Sequence, residues 1–358
     1  MIQVTLNSRD LQPILVGPPK INDQLEAVCR TMEFSVRDTE GLENYPGQKV
    51  ELWYNGSRWF VGFLRKRGRK HDGVITYLVY DPLIFLVKNI DDWYFTGVTA
   101  TQGIKTLAEK SGIRIKNLAN TGVVLPPLYY QGKAADAVAI DQLSRTYQKN
   151  KKKFWFNYKP DHTAEGLDLF ERVIPSKLWA FQVGVNLTGA SYEESIEDTI
   201  TVVKLVNRDT GKIVTRIDDV KLKAYGKAVH FEEVDKDEAT TMETKAQTLL
   251  KNLAKLNITQ QIEGINPDGI MPQLYSGDYI YAEEKYTRII GGYHVRNITH
   301  SFENSNLISI SADLEVDPYV PEIQFTDAEK KPNTKESTTG VQQNYSPELK
   351  KVMSDYGI

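Results

Sequence analysis

The sequence predicts an α+β, β-rich protein in which two similar β-units flank a different middle. Three observations carry that expectation. Residues 275–316 contain three strand-like runs, around Asp278–Ala282, Tyr293–Thr299 and Leu307–Leu314, each bounded by Gly, Ser, Asn or charged turn residues. Residues 45–86 show the same signals in the same order: Tyr45-Pro46-Gly47 opens a strand through Val50, Leu52 and Tyr54, Asn55-Gly56 makes a turn, Trp59-Phe60-Val61-Gly62 follows, and a last strand runs from Val74 to Tyr80. Between the two, after Asp91, the hydrophobic period changes from two to helical.

Taken in order, the chain opens with short strands expected at Ile2–Leu6 and Ile14–Val16, then a longer one in which Met32, Phe34 and Val36 share a face while Glu33, Ser35 and Arg37 point the other way. Inside the first meander, residues 65–73 (RKRGRKHDG) form a markedly basic loop, read as a solvated hairpin tip whose natural partner is an acidic neighbour in an assembly. Thr99-x-x-Gln102 has the form of a capping box, with Ile104, Leu107 and Ala108 on one helical face and Gly112 as the stop. A second helix is expected over about 134–147, where Ala135, Val138, Ala139 and Leu143 align and lysines close the C-terminal end. Phe154–Tyr158 and Leu167–Glu171 read as strands, so 91–175 forms a compact α+β insert.

The second half begins with Ser191-x-x-Glu194, a capping-box pattern that predicts a short helix or turn. Ile200–Val206 and Lys212–Ile217 make a hairpin across Gly211, Lys221–Phe231 is expected to be extended, and Thr240-x-x-Glu243 starts a helix. That helix has Met242, Ala246, Leu249, Leu250 and Leu253 as its apolar stripe, which most simply packs on the second meander. The expected domains are thus 1–90, 91–175 and 176–320, the last with room for a small subdomain. Residues 321–358 form a polar, flexible tail, with a short helix started by Ser346-Pro347 that docks Leu349, Val352 and Met353 on a partner.

Composition bounds the function. With 44 basic and 47 acidic residues the net charge of −3 makes no electrostatic case for nucleic acid or an anionic membrane. The start MIQVTLNSRD lacks a signal-peptide pattern, and the longest uncharged runs, 117–132 and 178–192, are too short and polar to span a bilayer, so synthesis as a soluble cytoplasmic chain is expected. Cys29 is the single cysteine, which excludes an internal disulfide and a multi-cysteine zinc site. Asn-x-Ser/Thr matches at Asn55, Asn186, Asn257 and Asn297 carry no meaning without secretion.

Catalytic signatures such as a Walker loop, GxGxxG, GxSxG or HExxH are missing from the sequence. His294 and His300 share a face if their strand is regular, but stand about 20 Å apart at the usual rise, against ligand distances of about 2.1 Å for zinc. The paired carboxylates Glu197-Asp198 and Glu232-Glu233 point to opposite faces of a strand, so no enzyme, metal or cofactor is expected. A duplicated unit suits a ring instead: subunits joined head to tail that each offer two similar units make a trimer look hexameric.

The residues also carry a family resemblance. Met32-Glu33-Phe34-Ser35-Val36, then Gly47-x-x-Val50 to Phe60-x-Gly62, then Gly277-Asp278-Tyr279-Ile280 to Gly292-Tyr293-His294-Val295-x-x-Ile298-Thr299-His300, taken together, are similar to the hub protein of contractile phage tails. The similarity is closer to the tail hub of phage-like elements in Gram-positive bacteria, related to the late control D family, and covers about residues 1–320. It implies two tube-like β-barrel domains interleaved with smaller α+β domains, and a homotrimeric, pseudo-hexameric ring in a virion or phage-tail-like particle. That ring would join the tail tube protein to the central spike protein, with other baseplate proteins and the tape measure protein as further neighbours. Val50, Leu52, Tyr54, Trp59, Phe60, Ile280, Tyr293 and Val295 are the candidate ring residues, the alternative being that they fill each unit's own core. Two other functions fit less well. A cell-wall or carbohydrate-binding module would use the 19 tyrosines and 5 tryptophans, and a tail-associated wall hydrolase would need a catalytic module after residue 320.

Overall fold

The computed structural model describes residues 1–39, 42, 45–175, 178–234, 241–317, 320–321, 323–325 and 327–329. The expected helix at Ser346, with Leu349, Val352 and Met353, lies outside them, as does Thr240.

The first unit comprises β3 (Lys20–Gln24), β4 (Thr31–Arg37), β5 (Lys49–Tyr54), β6 (Ser57–Arg69) and β7 (Val74–Tyr80), after β1 (Ile2–Leu6) and β2 (Arg9–Asp10). Its sheet runs β3-β4-β7-β6-β5-β1-β2, antiparallel throughout. The alternation of Met32, Phe34 and Val36 into the core holds, and Asn55-Gly56 turns with both residues at positive φ, 48° and 80°, as a tight hairpin requires. Two local readings change. Gln12–Ile14 is a 3₁₀ turn with Pro13 near its start, leaving only an isolated bridge from Leu15 to Val36. The basic run is not a loop: β6 continues through Arg69 paired with Ile75, and only 70–73 turn. Extended cationic side chains are tolerated there because pairing with β7 needs only the backbone.

The second unit repeats this plan. It comprises β14 (Leu187–Ser195), β18 (Asn257–Pro267), β19 (Tyr279–Glu284), β20 (Ile289–Asn304) and β21 (Leu307–Glu315), in the order β14-β18-β21-β20-β19, with β13 (Trp179–Gln182) parallel to β19. Strand for strand this is β3-β4-β7-β6-β5 again. Even the irregularity coincides. Phe63 pairs with both Lys49 and Tyr80, and the β6–β7 register then skips Arg65; His294 pairs with both Tyr279 and Glu315, and the β20–β21 register then skips Arg296. Matched bulges at the same point of two long strands are a shared bend in the plan of the unit, re-aiming the strand end.

β3 lies between β4 and β20, so the two units fuse into one 13-stranded sheet. Its inner face forms a single core in which Tyr54 meets Phe302 at 5.6 Å and Trp59 meets Phe302 at 5.4 Å between ring centroids. Among the described residues the pairing closes no separate barrel; one sheet with one core stands where the family resemblance implies two tubes.

The insert carries α1 (Ile84–Lys88), β8 (Ile90–Phe95), α2 (Ala100–Lys110), β9 (Ile115–Leu118), β10 (Leu128–Ala134), α3 (Ala135–Asn150), β11 (Phe154–Lys159) and β12 (Gly166–Glu171) around its own core. The Thr99–Gln102 capping box forms as expected.

A smaller body interrupts the second unit between β14 and β18, with β15 (Val202–Val206), β16 (Ile213–Ile217), α4 (Asp219–Tyr225), β17 (Val229–Glu233) and α5 (Met242–Leu253). Three expectations fail here. Ser191 and Glu194 lie inside β14 because that segment finds a continuous partner in β18, which overrides a local cap. Residues 219–225 are helical rather than extended: the Asp218 side chain accepts from Lys221 N and Gly226, at φ 86°, ends the turn. The α5 stripe of Met242, Ala246 and Leu250 packs on Val203, Leu205 and Val214 of the small sheet, not on the second meander.

Candidate functional site

All eight candidate ring residues are buried, from 0% exposure for Val50, Leu52, Phe60, Ile280 and Val295 to 6% for Tyr293. They meet in the shared core, Tyr54 and Trp59 from the first unit lying with Ile280, Tyr293 and Val295 from the second. Their side chains therefore hold the two units of one chain together. The strands that carry them are flanked on both sides, β5 by β1 and β6, and β19 by β13 and β20. Pairing surface is left at β14, which ends the sheet path. Among the described residues no strand runs along the outer half of β6 either: β5 stops at Phe63, the backbone of Leu64 bonds to Gly47 and Gln48, and β7 continues on the opposite side.

The bulge at Arg296 also revises the histidine pair. Core-facing residues run Tyr293, Val295, then Ile298, His300 and Phe302, so the skipped residue puts His294 and His300 on opposite faces. Burial holds both neutral, lowering His300 to about 3 and His294 to about 4. His300 packs edge-on to Trp59 in the shared core, and His294 packs edge-on to Tyr279 on the other face of the sheet. Among the described residues no three His, Cys, Asp or Glu side chains are grouped to hold a metal ion.

A buried polar junction, not legible from spacing, ties the first unit, the second unit and the insert together. Asp23 of β3 accepts from Ser276 Oγ at 2.7 Å and N at 3.1 Å, and faces Arg30 Nε at 3.6 Å. Arg30 N donates to Asp81, whose other oxygen takes Leu83 N, and the Arg30 guanidinium stacks 4.7 Å from the Tyr275 ring. On that ring's account too, Lys159 Nζ of the insert lies 3.2 Å from the centroid. Burial pushes Asp81 up to about 7 and Lys159 down to about 8. Arg30, Asp23, Asp81 and Lys159 are thus gathered, out of water, where the three bodies meet.

A second polar node lies on α3. Asp141, fully buried, accepts from Tyr130 Oη at 2.8 Å, Arg145 Nε at 2.6 Å, and the backbone N of Gln324 and Phe325 at 3.0 and 3.1 Å. Ser144 Oγ donates to Pro321 O and Ala328 is 2% exposed, so part of the stretch whose composition suggests a tail is packed on the insert. Three hydrogen-bonding groups on two turns of α3, Asp141, Ser144 and Arg145, do what apolar residues would do elsewhere.

No helix among the described residues is long and apolar enough to cross a membrane. The fold is shared with the 43 kDa tail protein of prophage MuSo2 from Shewanella oneidensis, at a TM-score of 0.60 and 15% identity over 87% of this chain and 97% of that one. It is shared also with the E. coli c3393 protein, a component of the type VI secretion system with structural similarity to the T4 tail proteins gp27 and gp5. There the TM-score is 0.53 at 12% identity, over 90% of this chain and 80% of that one. In sequence the chain is 25% identical over 282 residues to the phage-like element PBSX protein XkdQ of Bacillus subtilis (strain 168), covering 77% of this chain and 85% of XkdQ. The YqbQ-like family model matches residues 20–314, and the chain belongs to that family.

Proposed function

We propose that the protein is a non-enzymatic hub of a contractile tail or phage-tail-like particle. In this reading it forms a homotrimeric, pseudo-hexameric ring that joins the hexameric tail tube to the trimeric central spike, beside other baseplate proteins. The observation that carries this is the duplication: two five-stranded units with the same strand order and the same bulge, fused in one sheet. A chain with two copies of one unit presents sixfold repetition with threefold symmetry, which is what an adaptor between a sixfold and a threefold partner needs. The fold shared with a prophage tail protein and with a protein structurally similar to gp27 and gp5 supports the same role.

Light scattering across a concentration series, alone and with the tube and spike proteins added, tests it. A trimer, alone or induced by the spike, is the expected result. A monomer under every condition overturns the hub, and retention of that monomer on peptidoglycan would replace it with a wall-binding role.

A further inference from the structure

The fused sheet contains the template for a contact it does not make. Within the chain the first strand of one unit, β3, pairs with the outer half of the other unit's long strand, β20, from Lys20↔Ser301 to Gln24↔Asn297. The structural counterparts of these two strands are β14 and the outer half of β6. Among the described residues no strand runs along the outer side of β14, nor along the side of β6 away from β7 beyond Phe63. They sit at opposite ends of the same plan, so one chain cannot join them in the way β3 joins β20. A second copy can.

We propose that β14 of one copy pairs antiparallel with the outer half of β6 of the next, repeating the β3–β20 junction between subunits and carrying the sheet around the ring. This rests on the hub reading and names the strand edges that build it.

The register follows from the pairings. Ile21 and Tyr192 lie opposite the corresponding residues Met32 and Gln260, so β3 positions 20–24 correspond to β14 positions 191–195. The shared bulge matches Asn297 with Lys66 and Ser301 with Lys70. Transferring the β3–β20 register gives Ser195 opposite Lys66, Glu194 opposite Arg67, Glu193 opposite Gly68, Tyr192 opposite Arg69 and Ser191 opposite Lys70.

Charge agrees with that register. From Trp179 to Val203 the sequence has no Lys or Arg, while Glu193, Glu194, Glu197 and Asp198 cluster at the β14 end. From Ser57 to His71 it has no Asp or Glu, while β6 ends in Arg65, Lys66, Arg67 and Arg69, with Lys70 just beyond it. Glu194 faces Arg67, and Glu193, across from the side-chain-free Gly68, has Lys66 and Lys70 as diagonal neighbours on its face, the geometry in which opposite charges stabilise paired strands. Tyr192, Glu193 and Glu194 are exposed, and so are Lys66, Arg67 and Arg69; within the chain Glu194 accepts from Tyr192 Oη, Arg69 lies 3.5 Å from Asp38 and Arg67 is also engaged, so these contacts are shared or exchanged at the junction. A long unpaired edge is an aggregation hazard unless charged or covered; edges of opposite charge admit each other and repel themselves.

Cysteine cross-linking in the full-length chain tests the register. Cys29 is half-buried with its thiol pushed up to about 12, so it does not compete. The double variant Lys66→Cys/Ser195→Cys should oxidise to a covalent trimer, whereas Lys66→Cys/Ser191→Cys, about 13 Å out of register, should not. The charge reversal Glu193→Lys/Glu194→Lys should raise the concentration needed for trimer by roughly tenfold, and adding Lys66→Glu/Arg67→Glu in the same chain should restore it. A trimer of unchanged stability in the reversal variant, with no cross-link, overturns the edge pairing and leaves the hub standing. Cross-linking through Ser191 instead overturns the register. A wild-type chain that stays monomeric with tube and spike present overturns both.

Discussion

Arg65 and Arg296 are the same residue of one structural unit met twice: each is the position skipped where a long strand leaves one partner and bends along another. The consequence inside the chain is that everything beyond the bulge changes face, which carries Ile298, His300 and Phe302 into the core after Tyr293 and Val295. In the first unit the same bend delivers the cationic end of β6 past the edge of β5.

That shared core predicts tight coupling between the units. Gly269, at φ 62°, lies where an added Cβ would come 2.6 Å from Tyr54 Cε1. Gly269→Ala should lower unfolding stability by about 2–3 kcal/mol through backbone strain and displacement of the Tyr54 ring. Urea unfolding followed by tryptophan fluorescence measures it, and a change under 0.5 kcal/mol (about the spread of neutral surface changes) would contradict the close approach.

His300 makes stability depend on pH in a definite direction. Its folded pKa of about 3 lies below its ordinary value of 6.5, so the unfolded chain binds a proton that the native core refuses. The stability it secures is fully present above pH 6.5 and is lost as pH falls toward 3, at up to ~1.4 kcal/mol per pH unit. Asp81, raised to about 7 by burial, has the opposite slope, losing stability as pH rises from about 4 to 7. His300→Phe should therefore steepen the loss of stability on raising the pH through 4–6.5; denaturant midpoints at pH 5 and 7 for both proteins decide it.

Asp141 holds Gln324 and Phe325 on the insert. Asp141→Ala leaves Arg145 and two backbone N–H groups without their carboxylate, and a destabilisation of about 3–5 kcal/mol is expected for breaking a buried pair. Limited proteolysis should release a fragment starting near Pro321 faster than in the wild type. Unchanged cleavage there would show that Ser144 and Ala328 suffice.

The capping box at Thr99 is a local device, so its loss should stay local. Thr99→Ala removes the side chain that accepts from Gln102 N and should cost about 1 kcal/mol. Amide exchange in the first turn of α2 should quicken while that of β20 is unmoved.

Sequence pattern by itself determined the three-strand meander of each β-unit, the hairpin at Asn55-Gly56, the α2 cap and the apolar faces of β4 and α5, because each depends on residues within a few positions of one another; it did not show that β18 and β14 belong to the second unit. It read Ser191-x-x-Glu194 as a cap and 65–73 as a loop because the competing partners, β18 and the far end of β7, are invisible to a local window. Tertiary structure alone decided that the units fuse through β3, that α5 serves the small sheet, and that His294 and His300 part company at Arg296. It also decided which of the apolar strand residues face a core shared between units. Periodicity says that a side chain needs burial; only the register of distant strands says against what.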